Sequence, residues 1–446
     1  MHISPAEYVA KVCQQIRWKM AHGRVAGELT AHIDDTRDAY IQRGMSRQDA
    51  TAAAIADTGD ATLIGTDLDR IHRPKPQWGM LLAVAAFLAI GVLAHHAIVH
   101  STNFPIWNME SLNRRLVFMA VGIVAMFVAY FLDFTIIGKY AKPLYLITAL
   151  FSAVSFVFVP WSMQNLAILQ GLTLAMPLVY AGFVYSLKGK GFKGVVWAVV
   201  AYAVLCFVAL LIGVGAALFH FSFVGIAILL AAIAKNWFVY SVEYDRIKSF
   251  ATALVPFFAA VGFGVMETWH RLQAAINPMI DPMGFGFVGH ITRQILSNAV
   301  WLGESQLIPI ALHQGVEYRH QNIFFLPAPL NNLMLTSIIS LFGWLPFIAI
   351  MAGLVAFIVY GFVRCFRQKS GLGFFVSFAI MLTFTVQAVA YVVYNLGFPL
   401  VLISLPLMSP GNVAMVVNLG LIGIMLSVFR TGDVVEDAHA AGVKIA

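Results

Sequence analysis

From residue 79 onward the chain consists of long apolar runs separated by short polar stretches. A helix that crosses a bilayer takes about 20 mostly apolar residues. The pattern predicts ten such helices, over 79–99, 116–136, 144–161, 166–187, 195–211, 216–234, 250–266, 333–362, 374–396 and 413–429. The fifth and sixth share one apolar run, and Gly213-Val214-Gly215 is read as the tight turn that splits it. Residues 1–73 follow a helical period without that apolar density. Ser4-Pro5-Ala6-Glu7 is a capping box with proline at the first helical position. Tyr8, Val9, Val12, Ile16 and Met20 then share one face, and Val25, Leu29, Ile33, Thr36 and Tyr40 share the face of a second helix ending at Gly44. Ser46 caps a third helix that stops near Gly59, and Asp60 starts a fourth whose apolar face is Leu63, Ile64, Leu68 and Ile71. Residues 74–78 form a stiff linker, 79–430 the membrane domain and 431–446 a tail.

Only one long stretch breaks the apolar monotony. It runs from Asp281 to Trp344, within a predicted loop at 268–331 and the start of the eighth span. Shorter breaks at Asn395-Leu-Gly-Phe-Pro399 and Leu405-Pro406-Leu-Met-Ser409-Pro-Gly411-Asn412 put prolines and glycines at membrane depth. Unwound backbone is tolerated there only where it lines a protein-enclosed cavity.

Composition agrees with the pattern. Of 446 residues 60% are hydrophobic and 11% charged, against about 25% charged in soluble domains. The chain is therefore read as an all-α polytopic membrane protein preceded by a small soluble helical domain. Its net charge of +7 follows from lysine and arginine concentrated in alternate loops, so no nucleic-acid partner is needed. Lys139 and Lys142, then Lys188, Lys190 and Lys193, then Lys235, Arg246 and Lys248, then Arg364, Arg367 and Lys369 fall on one side. Arg114 and Arg115 run against that bias. The bias predicts both termini in the cytoplasm and the long loop outside. Cys13, Cys206 and Cys365 are scattered and imply neither a disulfide framework nor a zinc site. The first apolar run begins near Gly79, so no signal peptide is expected.

Polar residues within spans are costly and hence functional candidates. They include His95, His96, Asp133 (a partner for Lys139 or Lys142), Gln170, Thr173, Gln387, Tyr391 and Asn395, most of which interhelical hydrogen bonding accounts for. In the loop, His313, Glu317 and His320 would share a face if helical, but their spacing matches no metal signature. No metal site and no cofactor is expected from the sequence, which says nothing about a divalent cation.

These breaks carry a resemblance. Asp281-Pro-Met-Gly-Phe-Gly-Phe287 is similar to the D-P-x-G-x-G-Y loop start of the SEDS proteins, the FtsW/RodA/SpoVE family that polymerises peptidoglycan from a lipid-linked precursor. Asn332 to Gly343 resembles the family's D-F-x-F-x-x-x-x-E-x-x-G helix start. Pro399, Leu405, Pro406, Ser409 and Gly411 resemble its P-x-x-G-x-x-L-P-F-x-S-Y-G-G signature. Gln387 matches the glutamine before that signature, and Asn418-Leu-Gly-Leu421 the opening of the final helix. The likeness runs over roughly residues 112–429. The first seventy residues resemble the prefix domain found ahead of some bacterial permeases, which implies a cytoplasmic protein partner.

The resemblance implies a bacterial plasma-membrane protein of cell division or cell shape. It also implies an outward cleft lined by Gln170, Gln387, Pro399, Pro406, Ser409 and Gly411, and a class B penicillin-binding protein or other division or elongation proteins as partners. The departures fall on the chemistry. Asn332 stands where the family has its presumed catalytic aspartate, and Ser340 where it has a glutamate. The Q-P-S-E-L-A-K pattern reads Gln170-Gly-Leu-Thr-Leu-Ala-Met176, without acid or lysine. A carboxylate can take a proton from an acceptor sugar hydroxyl and a carboxamide cannot, a difference worth about 10²–10⁴-fold in rate. The expectation is a protein that binds lipid-linked precursor without an evident catalytic acid. The alternatives are a glycosyltransferase using Asp281 or Glu304, and a lipid flippase or permease.

Overall fold

The computed structural model describes residues 3–74, 76–101, 107–158, 168–169, 171–212, 215–240, 243–282, 284–305, 310–312, 316–318, 332–401, 403–408 and 413–431. The chain divides into two compact units, one made chiefly of the residues up to Pro76 and the other chiefly of Gln77–Phe429.

The first unit contains four helices, α1 (Pro5–Gln15), α2 (His22–Gln42), α3 (Arg47–Thr58) and α4 (Ala61–His72). Their starts are written in the sequence. Ser4 and Glu7 form the reciprocal capping box, and Ser46 accepts the Asp49 N–H at 3.2 Å. Asp60 accepts the N–H groups of Thr62 and Leu63 at 2.8 and 3.0 Å. The core gathers Tyr8, Val9, Val12, Ile16, Val25 and Ile33, and the Tyr8 hydroxyl donates to the Gly59 carbonyl at 2.9 Å. The predicted face of α4 is corrected. Leu63 and Ile71 are 65% and 66% exposed, while Ile64 and Leu68 pack on the core. The cause is Gly65: a Cβ there would lie 2.6 Å from Gln15 Cβ, so α4 turns its smallest residue towards α1 and rotates its flanks outward.

Among the described residues of the second unit, eight helices are long and apolar enough to cross a membrane. They are α5 (Trp78–Ser101), α6 (Trp107–Phe131), α10 (Gly191–Leu211), α11 (Gly215–Ala234), α12 (Glu243–Glu267), α16 (Trp344–Phe366), α17 (Gly371–Asn395) and α18 (Val413–Thr431). Shorter apolar helices, α8 (Ala141–Phe158) and α9 (Met176–Tyr185), occupy the third and fourth predicted positions. A short α7 (Thr135–Lys139) precedes α8. The long loop contributes α13 (Trp269–Ile276), α14 (Phe285–Ser297), two three-residue antiparallel strands, β1 (Ile310–Leu312) and β2 (Val316–Tyr318), and α15 (Met334–Phe342). The chain is thus a helical polytopic membrane protein.

Two predicted spans need correction. The eighth, 333–362, is two helices parted at Gly343, whose φ of 89° suits glycine. A Cβ at Gly343 would lie 2.7 Å from the Trp301 carbonyl, so the loop packs into the break. The crossing helix is Trp344–Phe366. The second predicted span, 116–136, ends at Phe131, after which Asp133 accepts the Thr135 N–H (3.0 Å) and its hydroxyl. Asp133 therefore starts α7, and among the described residues it makes no ion pair with Lys139 or Lys142.

Helices α11, α17 and α18 are mostly buried, while α6, α12 and α16 turn most of their surface outward. In lipid, helices associate through close packing of small residues and satisfied polar groups. A side chain at Gly423 of α18 would collide with the Met126 carbonyl of α6. Tyr145, Tyr180 and Tyr202 are buried, and their hydroxyls donate to the carbonyls of Ala201, Ala198 and Ser222 at 2.9, 3.2 and 3.1 Å. The Phe429 carbonyl accepts from Gln77 (3.3 Å) and Arg364 (3.5 Å), which gathers the start of α5 and the ends of α16 and α18 at one face.

The Asp60 cap carries a pH dependence. Its hydrogen bonds to Leu63 and Thr62 hold the carboxyl below the usual aspartate range. The stabilisation is therefore present at neutral pH and lost as pH falls through that range. Protection factors at the Thr62 and Leu63 amides, taken against the intrinsic exchange rate at each pH, should fall on acidification, and Asp60→Ala should lower them at neutral pH and remove that further loss.

Candidate functional site

The loop that opens at Asp281 is built by packing constraints. One carboxylate oxygen of Asp281 accepts the Phe285 N–H at 2.8 Å, and its carbonyl accepts the Gly286 N–H at 2.9 Å. A Cβ at Gly284 would collide with that carboxylate, and one at Gly286 with the Pro278 carbonyl. The D-P-x-G-x-G spacing thus starts α14, with the acid engaged in its first turn. Arg293 of α14 then donates to the Ile276 carbonyl (3.1 Å), to that of Ala275 and to that of Gly397 (3.0 Å). It also stacks over Phe398 at 4.4 Å. Pro399 is half-buried beyond this contact, near Gly289.

Asn332 sits just before α15, and its environment comes from α17. The Asn395 amide donates to the Asn332 carbonyl at 2.9 Å, while its oxygen accepts the Thr336 N–H at 3.0 Å. The Tyr391 hydroxyl accepts the Met334 N–H at 3.3 Å. The first N–H groups of a helix have no partner within it, and two side chains one turn apart on α17 supply partners here. Glu304 is exposed near the other end of α15, where the flanking Gly303 and Ser305 N–H groups reach Phe342 and Ser340 at 3.1 and 2.8 Å. A nine-residue helix is about 13 Å long, so Glu304 is separated from the Asn332 end by the length of α15.

Gln387 forms a reciprocal pair with Asn418 of α18, at 3.1 and 3.0 Å, with both side chains buried. Its amide is engaged between helices. Pro406 lies in a buried turn where Leu407 adopts φ 68°, and the Met408 N–H reaches the Pro406 carbonyl at 2.9 Å. Gln170, Ser409, Gly411, His313 and His320 lie outside the described residues. Glu317 belongs to a strand, so the helical face assumed for that trio does not form there.

The structure adds one residue that sequence reasoning assigned to a loop. Arg115 lies within α6 and is completely buried. One guanidinium nitrogen donates to the Met408 carbonyl at 2.8 Å. Among the described residues its Nε and other terminal nitrogen have no hydrogen-bond partner, and no carboxylate pairs with it. A side chain at Gly91 of α5 would collide with this guanidinium, so α5 leaves room for it. His95 and Tyr391 lie within its electrostatic reach, which connects it to the start of α15. A readable signal existed: Arg115, Gly122, Met126 and Ala129 recur at helical spacing and all face inward. Guanidinium stays charged in proteins, and a buried charge without a partner is expensive. The arrangement can receive an anion.

The Gln387–Asn418 pair gives a direct test of interhelical energetics. Gln387→Leu alone should cost about 1–3 kcal/mol of thermal stability in detergent, because Asn418 is left unsatisfied. The double variant Gln387→Leu/Asn418→Leu should recover most of that loss.

No family model matches the chain. The probable peptidoglycan glycosyltransferase FtsW of Thioalkalivibrio sp. (strain K90mix) is 25% identical over 169 residues, 37% of this chain and 40% of that relative. The corresponding FtsW of Geobacter sp. (strain M18) is 25% identical over 337 residues, 71% of this chain and 86% of the relative. The chain thus spans less than half the length of the first relative and most of the second. A solved chain from a study of how a peptidoglycan synthase complex coordinates polymerization and crosslinking shares 16% identity. The likeness covers 80% of this chain and 98% of that one, with a TM-score of 0.56. An alanine variant of the rod-shape-determining protein RodA of Thermus thermophilus shares 14% identity over the same proportions, with a TM-score of 0.51. With sequence similarity to FtsW proteins and the fold of these solved chains, the chain resembles the SEDS proteins as a divergent relative.

Proposed function

We propose that the protein acts in peptidoglycan synthesis by holding a lipid-linked wall precursor through its pyrophosphate, without polymerising it. Arg115 carries this reading: a buried cation with donors that no described residue accepts, beside the unwound 405–408 turn and the start of α15. Pyrophosphate oxygens would satisfy those donors with charge-assisted hydrogen bonds. A polyprenyl-linked substrate also suits a site enclosed by membrane helices. Arg115 would provide the cation that Met176 cannot.

The chemistry beyond binding lacks an acid. Glycan extension moves a proton from the acceptor hydroxyl while the lipid pyrophosphate leaves, and the Asn332 carboxamide is not a base at neutral pH. Asp281 engages the first turn of α14, and Glu304 lies near the far end of α15. The reading places the protein in the bacterial plasma membrane with both termini cytoplasmic. Residues 1–73 would then present a docking unit to a cytoplasmic partner. A class B penicillin-binding protein is the proposed membrane partner, in keeping with the synthase complex that shares the fold.

Purified protein should bind lipid-linked disaccharide-pentapeptide, and Arg115→Gln should weaken binding about 30-fold or more, ~2 kcal/mol. Undiminished affinity in that variant would remove Arg115 from the site. Incubation with the same precursor should yield no glycan chains, and processive product would overturn the non-polymerising reading. Asn332→Asp should bring turnover above background if that position faces the bound precursor.

A further inference from the structure

At the end of the bundle opposite Arg115, two lysine-bearing connections lie side by side. Backbone bonds join them: the Gly189 N–H donates to the Trp237 carbonyl at 3.1 Å and the Gly191 N–H to the Phe238 carbonyl at 2.7 Å. The second connection is strained. Asn236 and Val239 have φ of 53° and 58°, and a β-branched residue in the left-handed region is held there only by its surroundings. What that conformation achieves is a continuous row of rings. Tyr185 and Trp237 are 5.3 Å apart, Trp237 and Phe375 5.1 Å, and Phe375 and Phe374 5.4 Å. The indole N–H donates to the Tyr185 carbonyl at 3.2 Å, which fixes the ring plane.

Lysines sit on this row. Lys188 Nζ lies 4.8 Å from the Trp237 ring centre and Lys235 Nζ 4.0 Å from that of Phe374. Lys248 is seated in the same way on Phe192, at 4.4 Å. The ion pairs among the described residues all lie in the first unit, so no described carboxylate neutralises these ammonium groups. A charge bias across loops requires only that lysines be present on one side. It does not require that they be seated on aromatic faces by a strained turn. Ring faces fix the ammonium position while leaving its N–H groups free to donate to an anion. The surroundings select the anion's carrier. Val239, Tyr244 and Ile247 are 58%, 69% and 64% exposed beside these lysines, and apolar side chains at the ends of membrane-crossing helices face lipid rather than a soluble ion.

We infer that Lys188 and Lys235, seated on the Trp237–Phe375–Phe374 row, bind the headgroup phosphate of an anionic membrane phospholipid. This site is independent of the precursor reading and involves none of its residues.

The test uses the full chain in nanodiscs of phosphatidylcholine alone and of an equal mixture with phosphatidylglycerol. Phosphatidylglycerol should raise the unfolding temperature and be carried through detergent exchange, as counted by native mass spectrometry. Lys188→Gln/Lys235→Gln should lose most of the retained phosphatidylglycerol. Lys188→Arg/Lys235→Arg should keep it, and so should Lys369→Gln on another connection. Equal stability and retention in the two disc types would overturn the inference without recourse to any variant. Displacement of the lipid by soluble glycerol phosphate at equal concentration would assign the site to a free anion and overturn it as well.

Discussion

Inside a bilayer every backbone donor and acceptor has to find its partner within the protein, and the membrane unit is organised around meeting that requirement where its helices break. Three interruptions lie among buried helices: the start of α15, the end of α17 and the 405–408 turn. Each is completed by a side chain from elsewhere. Tyr391 and Asn395 meet the first N–H groups of α15, Arg293 meets the Gly397 carbonyl, and Arg115 meets that of Met408. Side chains committed in this way are not available for chemistry.

That division separates binding from catalysis. Among the described residues Arg115 satisfies one carbonyl and still has donors to spare, whereas Asp281 and Gln387 are engaged. Asn332 offers an amide, Asp281 is drawn into the first turn of α14, and Gln387 is matched by Asn418. A site can lose its proton acceptor and keep its charge complementarity, since the two reside on different helices.

Much of the fold was legible because it rests on composition over many residues. The apolar runs located the spans, and Ser4, Ser46 and Asp60 announced their helix starts through local side-chain chemistry. The misreadings came from contacts distant in sequence. Whether 333–362 is one helix or two depends on Trp301 packing into Gly343. The inward face of α4 depends on how closely α1 approaches Gly65. Arg115 was read as a loop residue because charge beside an apolar run usually marks its end; α6 in fact begins at Trp107. The motifs singled out Asp281 and Asn332, but only the hydrogen bonds reveal that the acid is engaged in a helix turn and that the start of α15 is built from α17.

The Gln387–Asn418 pair has a further consequence. Apolar side chains tolerate sliding of one helix along another, because a shifted contact remains a contact. Two amides that exchange both hydrogen bonds accept only one setting, in rotation and in height. They therefore key α18 to α17, and the chain between the two helices must bridge a gap of fixed size. A residue inserted or deleted between 396 and 412 could not be absorbed by slippage. The change would have to be taken up within the connection itself, the segment that carries the left-handed Leu407 and the carbonyl that anchors Arg115.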